Sequence, residues 1–335
     1  MGLAPADRPG AGQLPRRIAV TAPATKPLRL PLDALATSGM LILCVCWGFQ
    51  QIAIKLVAAD IAPIMQIALR SSFAALVLLV VVWRAEGLRA VRDGTALPGL
   101  LVGLLFGAEF LFVAQGLLYT TASHMSVFLY TAPIFAALGL HWLLPEERMQ
   151  PLQWLGVAVA FGGIAVAFLF KGGAPREAAG AANMLLGDAM GLAAGLLWGA
   201  TTVAIRATSL SEAAPSKTLL YQMAVAAVGL LAYAVATGQH AIQPTPSALA
   251  SVAFQAVVVA LSSYLAWFWL LRRYLASRLS ILSFMTPLFG VSFGVLILDE
   301  PLDAGFAIGA VLVLLGITLV SGGELVKQWL RHRRI

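Results

Sequence analysis

Charged residues are scarce in this chain. Of its 335 residues, 11% are Asp, Glu, Lys or Arg and 60% are hydrophobic, and the mean hydropathy is +0.88. A soluble domain carries about 25% charged residues, so this balance excludes a water-soluble globular enzyme. The net charge of +7 does not indicate a nucleic-acid partner, because the basic residues are scattered between apolar runs and form no basic face.

Disulfide, nucleotide-binding and metal-binding motifs are also missing. The two cysteines, Cys44 and Cys46, lie within an apolar run and offer neither a disulfide framework nor metal-ligand spacing. The chain contains no G-x-x-x-x-G-K-[ST] motif, so ATP is not its energy source. It contains no H-E-x-x-H motif and no pair of intramembrane aspartates, which argues against an intramembrane hydrolase. We therefore expect no cofactor, no metal and no enzymatic activity.

Ten apolar stretches are long enough to cross a membrane, since about 20 helical residues span the ~30 Å hydrocarbon core. They occupy roughly residues 34–56, 62–83, 96–118, 122–144, 152–170, 184–206, 217–237, 247–270, 277–298 and 303–321. Together they take up nearly all of the chain after residue 33, which leaves little for a soluble domain. The sequence predicts an all-α polytopic membrane protein.

The chain repeats itself in two halves. Trp47-Gly48 in the first stretch aligns with Trp198-Gly199 in the sixth at an offset of 151 residues. Offsets of 152 to 154 relate Arg70 to Gln222, Ala122 to Ala276, Pro133 to Pro287, Glu146 to Glu300 and Gly156 to Gly309. Because each half holds an odd number of stretches, the second half enters the membrane inverted relative to the first. The sequence thus predicts ten transmembrane helices as two inverted five-helix repeats, an arrangement that many secondary transporters share.

Basic residues predict how the chain lies in the membrane, because cytoplasmic loops carry an excess of Lys and Arg. With the N-terminus in the cytoplasm, 18 of the 22 Lys and Arg residues fall on that side, three fall on the other, and one lies within a stretch. We therefore expect both termini in the cytoplasm, at the inner membrane of a bacterium. Residues 1–33 are predicted to be a disordered basic cytoplasmic tail and residues 323–335 a second basic cytoplasmic tail.

These features resemble the EamA family of the drug/metabolite transporter superfamily. The resemblance rests on the tandem five-helix halves, the Trp-Gly near the start of each half, Pro63 followed by Arg70 in the second stretch, and a Pro…Glu pattern that occurs twice. The residues of that pattern are Pro133 with Glu146 and Pro287 with Glu300. The resemblance assigns one EamA repeat to residues 34–171 and a second to residues 184–322.

The resemblance implies a function and a set of partners. It implies a secondary transporter, most often an exporter of small metabolites such as amino acids, that works by alternating access around a central cavity between the repeats. The expected partners are a small-molecule substrate and the lipid bilayer, with proton coupling as an open option and no nucleic acid. A non-transporting accessory or sensor protein and an intramembrane enzyme are the alternatives.

Arg70 and Glu109 are two charges predicted to lie inside the membrane. A charge near mid-membrane costs about 2.5 kcal/mol or more, so each needs a partner or a function. At about 1.5 Å per residue, both lie roughly 12–14 Å below the same surface, on adjacent antiparallel helices, which predicts that they meet. Arg70 belongs to the family motif and is expected to be structural. Glu109 does not, and either carries a proton during transport or stays ionised beside Arg70.

Other candidates are polar, aromatic or helix-breaking residues deep within the stretches. Pro133 and Pro287 each remove a backbone N–H and kink their helix, either as a gating point or as a static bend. Substrate-binding candidates are Trp47, Gln50, Gln51, Glu109, Gln115, Tyr130, Trp198, Thr201 and Trp267. Structural or gating roles are expected for Arg70, Pro133, Pro287 and Gln222.

Overall fold

A computed structural model describes residues 2, 33–87, 93–145, 148–169, 178–274, 279 and 282–332. Within these ranges the chain is helical apart from short connections, which include an isolated antiparallel bridge between Ile61 and Ile242. Most of the predicted N-terminal tail, the last three residues and Glu146 lie outside the described residues.

The helices follow the predicted stretches in order. The first half contains α1 (Ala34–Leu56), α2 (Pro63–Glu86), α3 (Ala96–Gly116), α4 (Ala122–Leu129), α5 (Ala132–Leu143) and α6 (Pro151–Leu169). The second half contains α7 (Ala178–Ala207), a 3-10 turn (Ser209–Ser211), α8 (Pro215–Ala236), α9 (Pro246–Ala253), a π-helical segment (Phe254–Ser263), α10 (Tyr264–Arg273), α11 (Met285–Leu298) and α12 (Ala304–His332).

Seven helical segments in the described part of the chain are long and apolar enough to cross a membrane. Three further apolar helices are shorter, at Pro151–Ala167, Met285–Leu298 and Ala304–Val320. The prediction of an all-α membrane protein is confirmed. The first of the seven segments, Ala34–Leu56, has the predicted bounds.

Local chemistry marks where helices begin. Pro63, Pro215 and Pro246 each open a helix, where the missing N–H has no intrahelical partner to lose. Asp33 caps α1 by accepting a hydrogen bond from the backbone N–H of Ala36 at 2.8 Å. That bond, followed by the one from the Tyr274 hydroxyl, lowers the pKa of Asp33.

The fourth predicted stretch is not one continuous helix. It breaks at Tyr130 and Thr131 into α4 and α5, and Pro133 stands in the first turn of α5. Pro287 likewise stands in the first turn of α11. Both prolines therefore follow a helix break rather than kink a helix interior. The Thr131 hydroxyl donates to the carbonyl oxygen of Phe128 at 2.6 Å, which satisfies a backbone group at the break.

Glycines set the spacing between α6 and α12. A Cβ placed on Gly163 would lie 2.7 Å from the carbonyl oxygen of Gly309, and a Cβ on Gly309 would lie 2.6 Å from the carbonyl oxygen of Gly163. Gly156 and Gly316 approach each other in the same reciprocal way. Small residues on facing surfaces let membrane helices pack backbone against backbone. The order of the contacts shows that α6 and α12 run antiparallel.

The glycines of the two Trp-Gly pairs make matching contacts. A Cβ on Gly48 of α1 would lie 2.8 Å from Cβ of Phe289 on α11. A Cβ on Gly199 of α7 would lie 2.7 Å from Cβ of Phe135 on α5. The sequence repeat pairs Phe135 with Phe289 at an offset of 154 residues. Each glycine thus allows its helix to pack closely on a helix of the other half: α1 packs on α11, and α7 packs on α5, the repeat equivalent of α11. The tryptophan before each glycine lies at this contact.

An ion-pair network joins the α2–α3 connection to the start of α8. Nζ of Lys217 lies 3.2 Å from Oε2 of Glu86 and donates to Oδ2 of Asp93. Asp93 Oδ1 accepts hydrogen bonds from the backbone N–H and the hydroxyl of Thr95, at 3.1 and 2.7 Å. These contacts, with the hydrogen bond from Lys217 as the largest contribution, lower the pKa of Asp93 from 3.8 to about 2. The network links the first half of the chain to the second.

Substitution of the α6 glycines tests the helix packing. Gly163→Ala would bring a methyl group to 2.7 Å from the Gly309 carbonyl oxygen, so we expect it to lower the stability by about 1–3 kcal/mol. The neighbouring Gly162 has no atom within 4 Å of an added Cβ, so Gly162→Ala should gain up to about 1 kcal/mol of helix propensity. Thermal unfolding in one detergent measures both. Equal stability of the two variants would contradict the packing.

Removal of Lys217 tests the network. Lys217→Met should lower the stability by about 1 kcal/mol or less, because the Asp93 side chain is 41% exposed. The folded pKa of Asp93 is below its ordinary value, so the stability it adds is present above pH 3.8 and is lost as the pH falls toward about 2. Unfolding temperatures of wild type and variant should differ at neutral pH and converge in acid. Arg148→Met, at an exposed site, is the control; an equal loss there would count against the network.

Candidate functional site

Four buried or half-buried polar side chains from separate elements form the central polar cluster: Arg70, Glu109, Tyr130 and Tyr264. Arg70 of α2 is 2% exposed and Glu109 of α3 is 4% exposed. Arg70 interacts electrostatically with Glu109 and Tyr264, and Tyr130 with Glu109 and Tyr264. Tyr130 lies at the break between α4 and α5, and Tyr264 begins α10. The cluster therefore draws on both halves of the chain.

Arg70 and Glu109 are neighbours but not a direct ion pair. The ion pairs within the described residues include none that joins them at 4.0 Å or less. The guanidinium carbon of Arg70 instead lies 4.4 Å from the ring centroid of Phe110, so its charge faces an aromatic ring. Nη1 of Arg70 and Oε2 of Glu109 are both buried and have no hydrogen-bond partner among the described residues. The direct ion pair predicted from matched depth is therefore not formed. Arg70 and Glu109 are neighbours, and each keeps one atom available to bind another group.

Tryptophans lie beside the central polar cluster. The Trp47 ring is 6.5 Å from Tyr264 and 5.8 Å from Trp267, measured between centroids. The Trp198 ring lies 5.2 Å from Tyr130, edge to face. Trp47 and Trp198 therefore lie next to cluster tyrosines, and Trp267 lies next to Trp47. Since Trp47 and Trp198 are repeat equivalents, each half contributes one ring.

The remaining predicted residues lie in several environments. Gln50 and Gln51 are buried on α1, and Gln51 Oε1 has no hydrogen-bond partner in the described part of the chain. Thr201 is buried on α7, where its hydroxyl donates to the Leu197 carbonyl oxygen at 2.9 Å. Gln222 is buried on α8 at 9% exposure. Thr201 is thus satisfied within its own helix, while Gln51 keeps an acceptor free.

Gln115 is not joined to the central polar cluster by any contact found among the described residues. Its Nε2 donates to Oε1 of Gln239 at 3.3 Å, in the connection after α8. Gln115 lies one residue before the end of α3. The polar side chain of Gln115 therefore links the end of α3 to the connection that follows α8.

Sequence reasoning missed Ser263. Its hydroxyl accepts a hydrogen bond from Nε1 of Trp47 at 2.8 Å and donates to the Val259 carbonyl oxygen at 2.6 Å. Ser263 ends the π-helical segment, directly before Tyr264. π-Helical turns are rare and are frequent at functional sites. Hydropathy carries no signal for such a segment, because its composition is that of an ordinary apolar helix.

A second polar cluster holds one end of the bundle, and we call it the Glu300 clamp. Glu300 Oε1 accepts from the backbone N–H of Ala122 at 2.7 Å, and its Oε2 accepts from the N–H and hydroxyl of Ser123 at 2.9 and 2.7 Å. Nζ of Lys55 lies 3.6 Å from Glu300 Oε1 and donates to the Thr120 carbonyl oxygen at 2.6 Å. A carboxylate at a helix N-terminus is favoured by the helix dipole. The clamp joins the first half to the second.

The described part of the chain offers no set of side chains that could bind a metal ion. No three His, Cys, Asp or Glu side chains there gather closely enough to hold a metal ion. The two free cysteines, Cys44 and Cys46, are separated by one residue on α1.

Comparison with known proteins places these features in a family context. A family model described as the EamA-like transporter family matches residues 35–169 and 185–322. An uncharacterized transporter of Archaeoglobus fulgidus is 25% identical over 281 residues, which cover 83% of this chain and 94% of that protein. The uncharacterized transporter sll0355 of Synechocystis is 28% identical over 308 residues, covering 85% and 89%. The uncharacterized transporter YoaV of Bacillus subtilis is 24% identical over 282 residues, covering 83% and 94%.

The fold has also been seen in a solved structure. A crystal structure of a protein matches this chain with a TM-score of 0.59 and 20% sequence identity, over 85% of this chain and 96% of that one. At this identity the likeness concerns the fold alone.

Variants of the two central charges test the electrostatics of the cluster. Arg70→Ala removes a cation beside a buried carboxylate and should lower the stability by about 3 kcal/mol. Glu109→Gln keeps hydrogen-bonding capacity and should cost less. Arg84→Ala removes an exposed arginine from the same helix and serves as the control. Thermal unfolding in detergent ranks the three, and a loss for Arg84→Ala equal to that for Arg70→Ala would contradict the coupling.

Proposed function

This chain belongs to the EamA-like transporter family, and we propose that it is a secondary transporter that exports small zwitterionic metabolites, such as amino acids, by alternating access coupled to protons. The observation that carries the proposal is the central polar cluster. It holds a guanidinium and a carboxylate, both buried, and each has an atom with no hydrogen-bond partner in the ranges that the structure describes. Intramembrane charges with this character mark substrate and ion pathways.

The chemistry of the cluster favours a zwitterion. Arg70 Nη1 is a donor suited to a carboxylate, and Glu109 Oε2 is an acceptor suited to an ammonium group. The rings of Trp47 and Trp198, on α1 and α7, flank the cluster tyrosines and offer an apolar or cation-binding surface. A substrate with both charges would satisfy both open atoms, whereas a substrate with one charge would leave one unpaired. We place Gln50, Gln51, Tyr130, Thr201 and Trp267 around the same path, with Gln115 at its end.

The glycine contacts support ten spans in two inverted repeats. Gly156 and Gly309 are equivalent in the sequence repeat, as are Gly163 and Gly316. In the fold, however, Gly156 meets Gly316 and Gly163 meets Gly309. Such crossed pairing is what a two-fold axis in the membrane plane produces. We propose repeats at residues 34–171 and 184–322, related by that axis.

The proposed setting is the bacterial inner membrane, with both termini and both basic tails in the cytoplasm. The distribution of Lys and Arg supports this orientation. It puts the Glu300 clamp at the outer end of the bundle and the Lys217 network at the cytoplasmic end. Alternating access then requires each end to open in turn.

Pro133 and Pro287 are placed to act in gating. Each stands in the first turn of a helix that follows a break in its predicted stretch, and breaks of this kind line substrate sites in many transporters. Arg70 and Gln222, equivalent residues of α2 and α8, are proposed to hold the bundle around the path. A hinge at each break would let α5 and α11 swing without unfolding.

Transport separates this proposal from the alternatives. Purified protein in lipid vesicles should exchange a radiolabelled amino-acid mixture for unlabelled amino acids, whereas an accessory protein, a sensor or an intramembrane enzyme would move none. Unlabelled amino acids should compete with the tracer. Analogues lacking either the amino or the carboxyl group should compete at least about tenfold less well, because one buried charge is left unpaired.

Glu109→Gln sharpens this test. The variant should lose affinity for zwitterions and should also lose its discrimination against carboxylic acids that lack the amino group, since no carboxylate remains to be paired. Glu212→Gln, at an exposed position, should retain the wild-type preference. A Glu109→Gln protein with the wild-type preference would overturn the assignment of Glu109 to the ammonium group.

A further inference from the structure

A hydrogen bond between Trp47 and Ser263 joins the two halves of the chain beside the central polar cluster. Nε1 of Trp47, on α1, donates to the Ser263 hydroxyl oxygen at 2.8 Å. That hydroxyl donates its own proton to the Val259 carbonyl oxygen at 2.6 Å. Because the hydroxyl proton is engaged by the backbone, a lone pair of the serine oxygen is left for the indole N–H. The orientation of the serine hydroxyl is therefore matched to the tryptophan.

The sequence repeat gives Ser263 the place in the second half that Glu109 has in the first. Ser263 and Tyr264 lie 154 residues after Glu109 and Phe110. The guanidinium carbon of Arg70 lies 4.4 Å from the centroid of the Phe110 ring, and Arg70 interacts electrostatically with Glu109 and Tyr264. Arg70 thus interacts with members of both pairs, and Ser263 directly precedes one of them. Ser263 therefore lies at the edge of the central polar cluster.

The π-helical segment determines which face of its helix carries Ser263. The equivalent helix of the first half, α3, is a regular α-helix over Ala96–Gly116. The repeat offset grows from 152 residues at Gln222 to 154 at Ser263, and the π-helical segment lies between these two points. An added residue turns every later side chain by about 100° around an α-helix, so the face on which Ser263 meets Trp47 depends on this segment.

Trp47 is left with a purely apolar surface. The one polar group of an indole is its Nε1–H, which can only donate. Ser263 takes that donor and is 3% exposed, so the N–H points into the helix packing. The Trp47 ring itself is half-buried, and its centroid lies 6.5 Å from that of Tyr264 and 5.8 Å from that of Trp267. What the ring can still offer to a bound molecule is its hydrocarbon surface.

We propose that Ser263 is a positioning residue that determines which amino-acid side chains this transporter accepts. By holding the indole N–H, it makes Trp47 an apolar wall beside Arg70 and Glu109. The two charges bind the α-carboxylate and α-ammonium groups, and the wall binds an apolar side chain. A polar side chain placed there would lose its hydration without gaining a hydrogen bond. This inference rests on the proposed function, because it names the side-chain class of the exported amino acids.

The first test needs no substrate. The whole chain, labelled with ¹⁵N-tryptophan in detergent, should give one indole N–H signal for each of its eight tryptophans, and Trp47→Phe identifies the signal of Trp47. In Ser263→Ala that signal should move upfield and exchange faster with water, because the indole has lost its acceptor. A Trp47 signal that Ser263→Ala leaves unmoved would overturn the proposal.

The neighbouring serine provides a matched control. Ser262 is exposed and lies in the same π-helical segment, and its hydroxyl donates to the Val257 carbonyl oxygen at 2.8 Å. Ser262→Ala therefore removes the same group and the same kind of backbone hydrogen bond, but not the contact with Trp47. It should leave the Trp47 signal in place. An equal shift in both variants would show that the signal follows the helix backbone, which would count against a direct bond.

The second test measures selectivity in lipid vesicles, with a radiolabelled amino-acid mixture as tracer. Leucine and asparagine have side chains of the same shape and different polarity, and leucine should compete better with the tracer in wild type. Ser263→Ala should lower this preference about threefold or more, because the released N–H can donate to the asparagine side chain. Ser262→Ala should keep the wild-type preference, and Ser263→Thr, which keeps a hydroxyl, should restore it. An unchanged preference in Ser263→Ala would contradict the proposal.

Variants of Trp47 show whether Ser263 acts through the indole. Trp47→Phe keeps an apolar ring without an N–H and should retain the preference for leucine, whereas Trp47→Gln should lose it. Adding Ser263→Ala to Trp47→Phe should change the preference no further, since the group that Ser263 positions is already gone. A further loss in the double variant would assign Ser263 a role that is independent of Trp47 and overturn the proposal.

The tests distinguish the possible failures. If wild type exchanges no amino acid, the proposed function is wrong, and the indole signal still decides whether Ser263 positions Trp47. If Ser263→Ala does not fold, Trp47→Phe and Trp47→Gln decide whether an apolar surface at this place sets the preference. Equal competition by leucine and asparagine in wild type would leave amino-acid transport intact and overturn the assignment of the side-chain class.

Discussion

The membrane interior cannot supply water to a buried polar group, and the positions of the polar side chains in this chain follow from that constraint. Where the backbone leaves a helix within the bundle, a side chain completes it: the Thr131 hydroxyl binds the Phe128 carbonyl oxygen at the α4–α5 break. Where a helix begins inside the protein, Glu300 supplies acceptors to the first N–H groups of α4. Within the described residues, Arg70, Glu109 and His124 each keep a buried atom without a hydrogen-bond partner, and these atoms are therefore informative.

Close glycine contacts bring two tryptophans beside the central polar cluster. Gly48 and Gly199 bring α1 and α7 against the backbones of α11 and α5. The tryptophan before each glycine is thereby set beside a cluster tyrosine, at 6.5 Å for Trp47 and 5.2 Å for Trp198. A larger residue at either glycine would move a whole helix, and with it one side of the central polar cluster. The two residues of each Trp-Gly pair therefore act together: the glycine allows the close approach of two helices, and the tryptophan before it contacts a cluster tyrosine.

Much of the fold follows from hydropathy, because a helix in a membrane must be apolar over most of its length. The bounds of α1 were predictable for this reason. Pro133 indicated a bend in the fourth stretch, but not that the helix ends before it at Tyr130 and Thr131. The π-helical segment left no signal, because it has the composition of an uninterrupted apolar helix. Depth along a helix placed Arg70 and Glu109 at the same level, but it says nothing of the direction in which each side chain points around its helix. Arg70 turns to Phe110, so matched depth produced neighbours rather than a direct pair.

The two ends of the bundle are held by contacts of different character, and this difference bears on how the protein moves. At one end, Lys217 binds carboxylates that are 28% and 41% exposed. The Lys217 side chain itself is 3% exposed, but its partners reach water, so separating these pairs costs less than separating two buried groups. At the other end, the side chains of Asp188 and His124 are 1% and 3% exposed, and Glu300 is 8% exposed. Opening that end must hydrate buried charges, a step that needs an external source of free energy. In the proposed alternating-access cycle, opening of this end therefore costs more free energy than opening of the end held by Lys217.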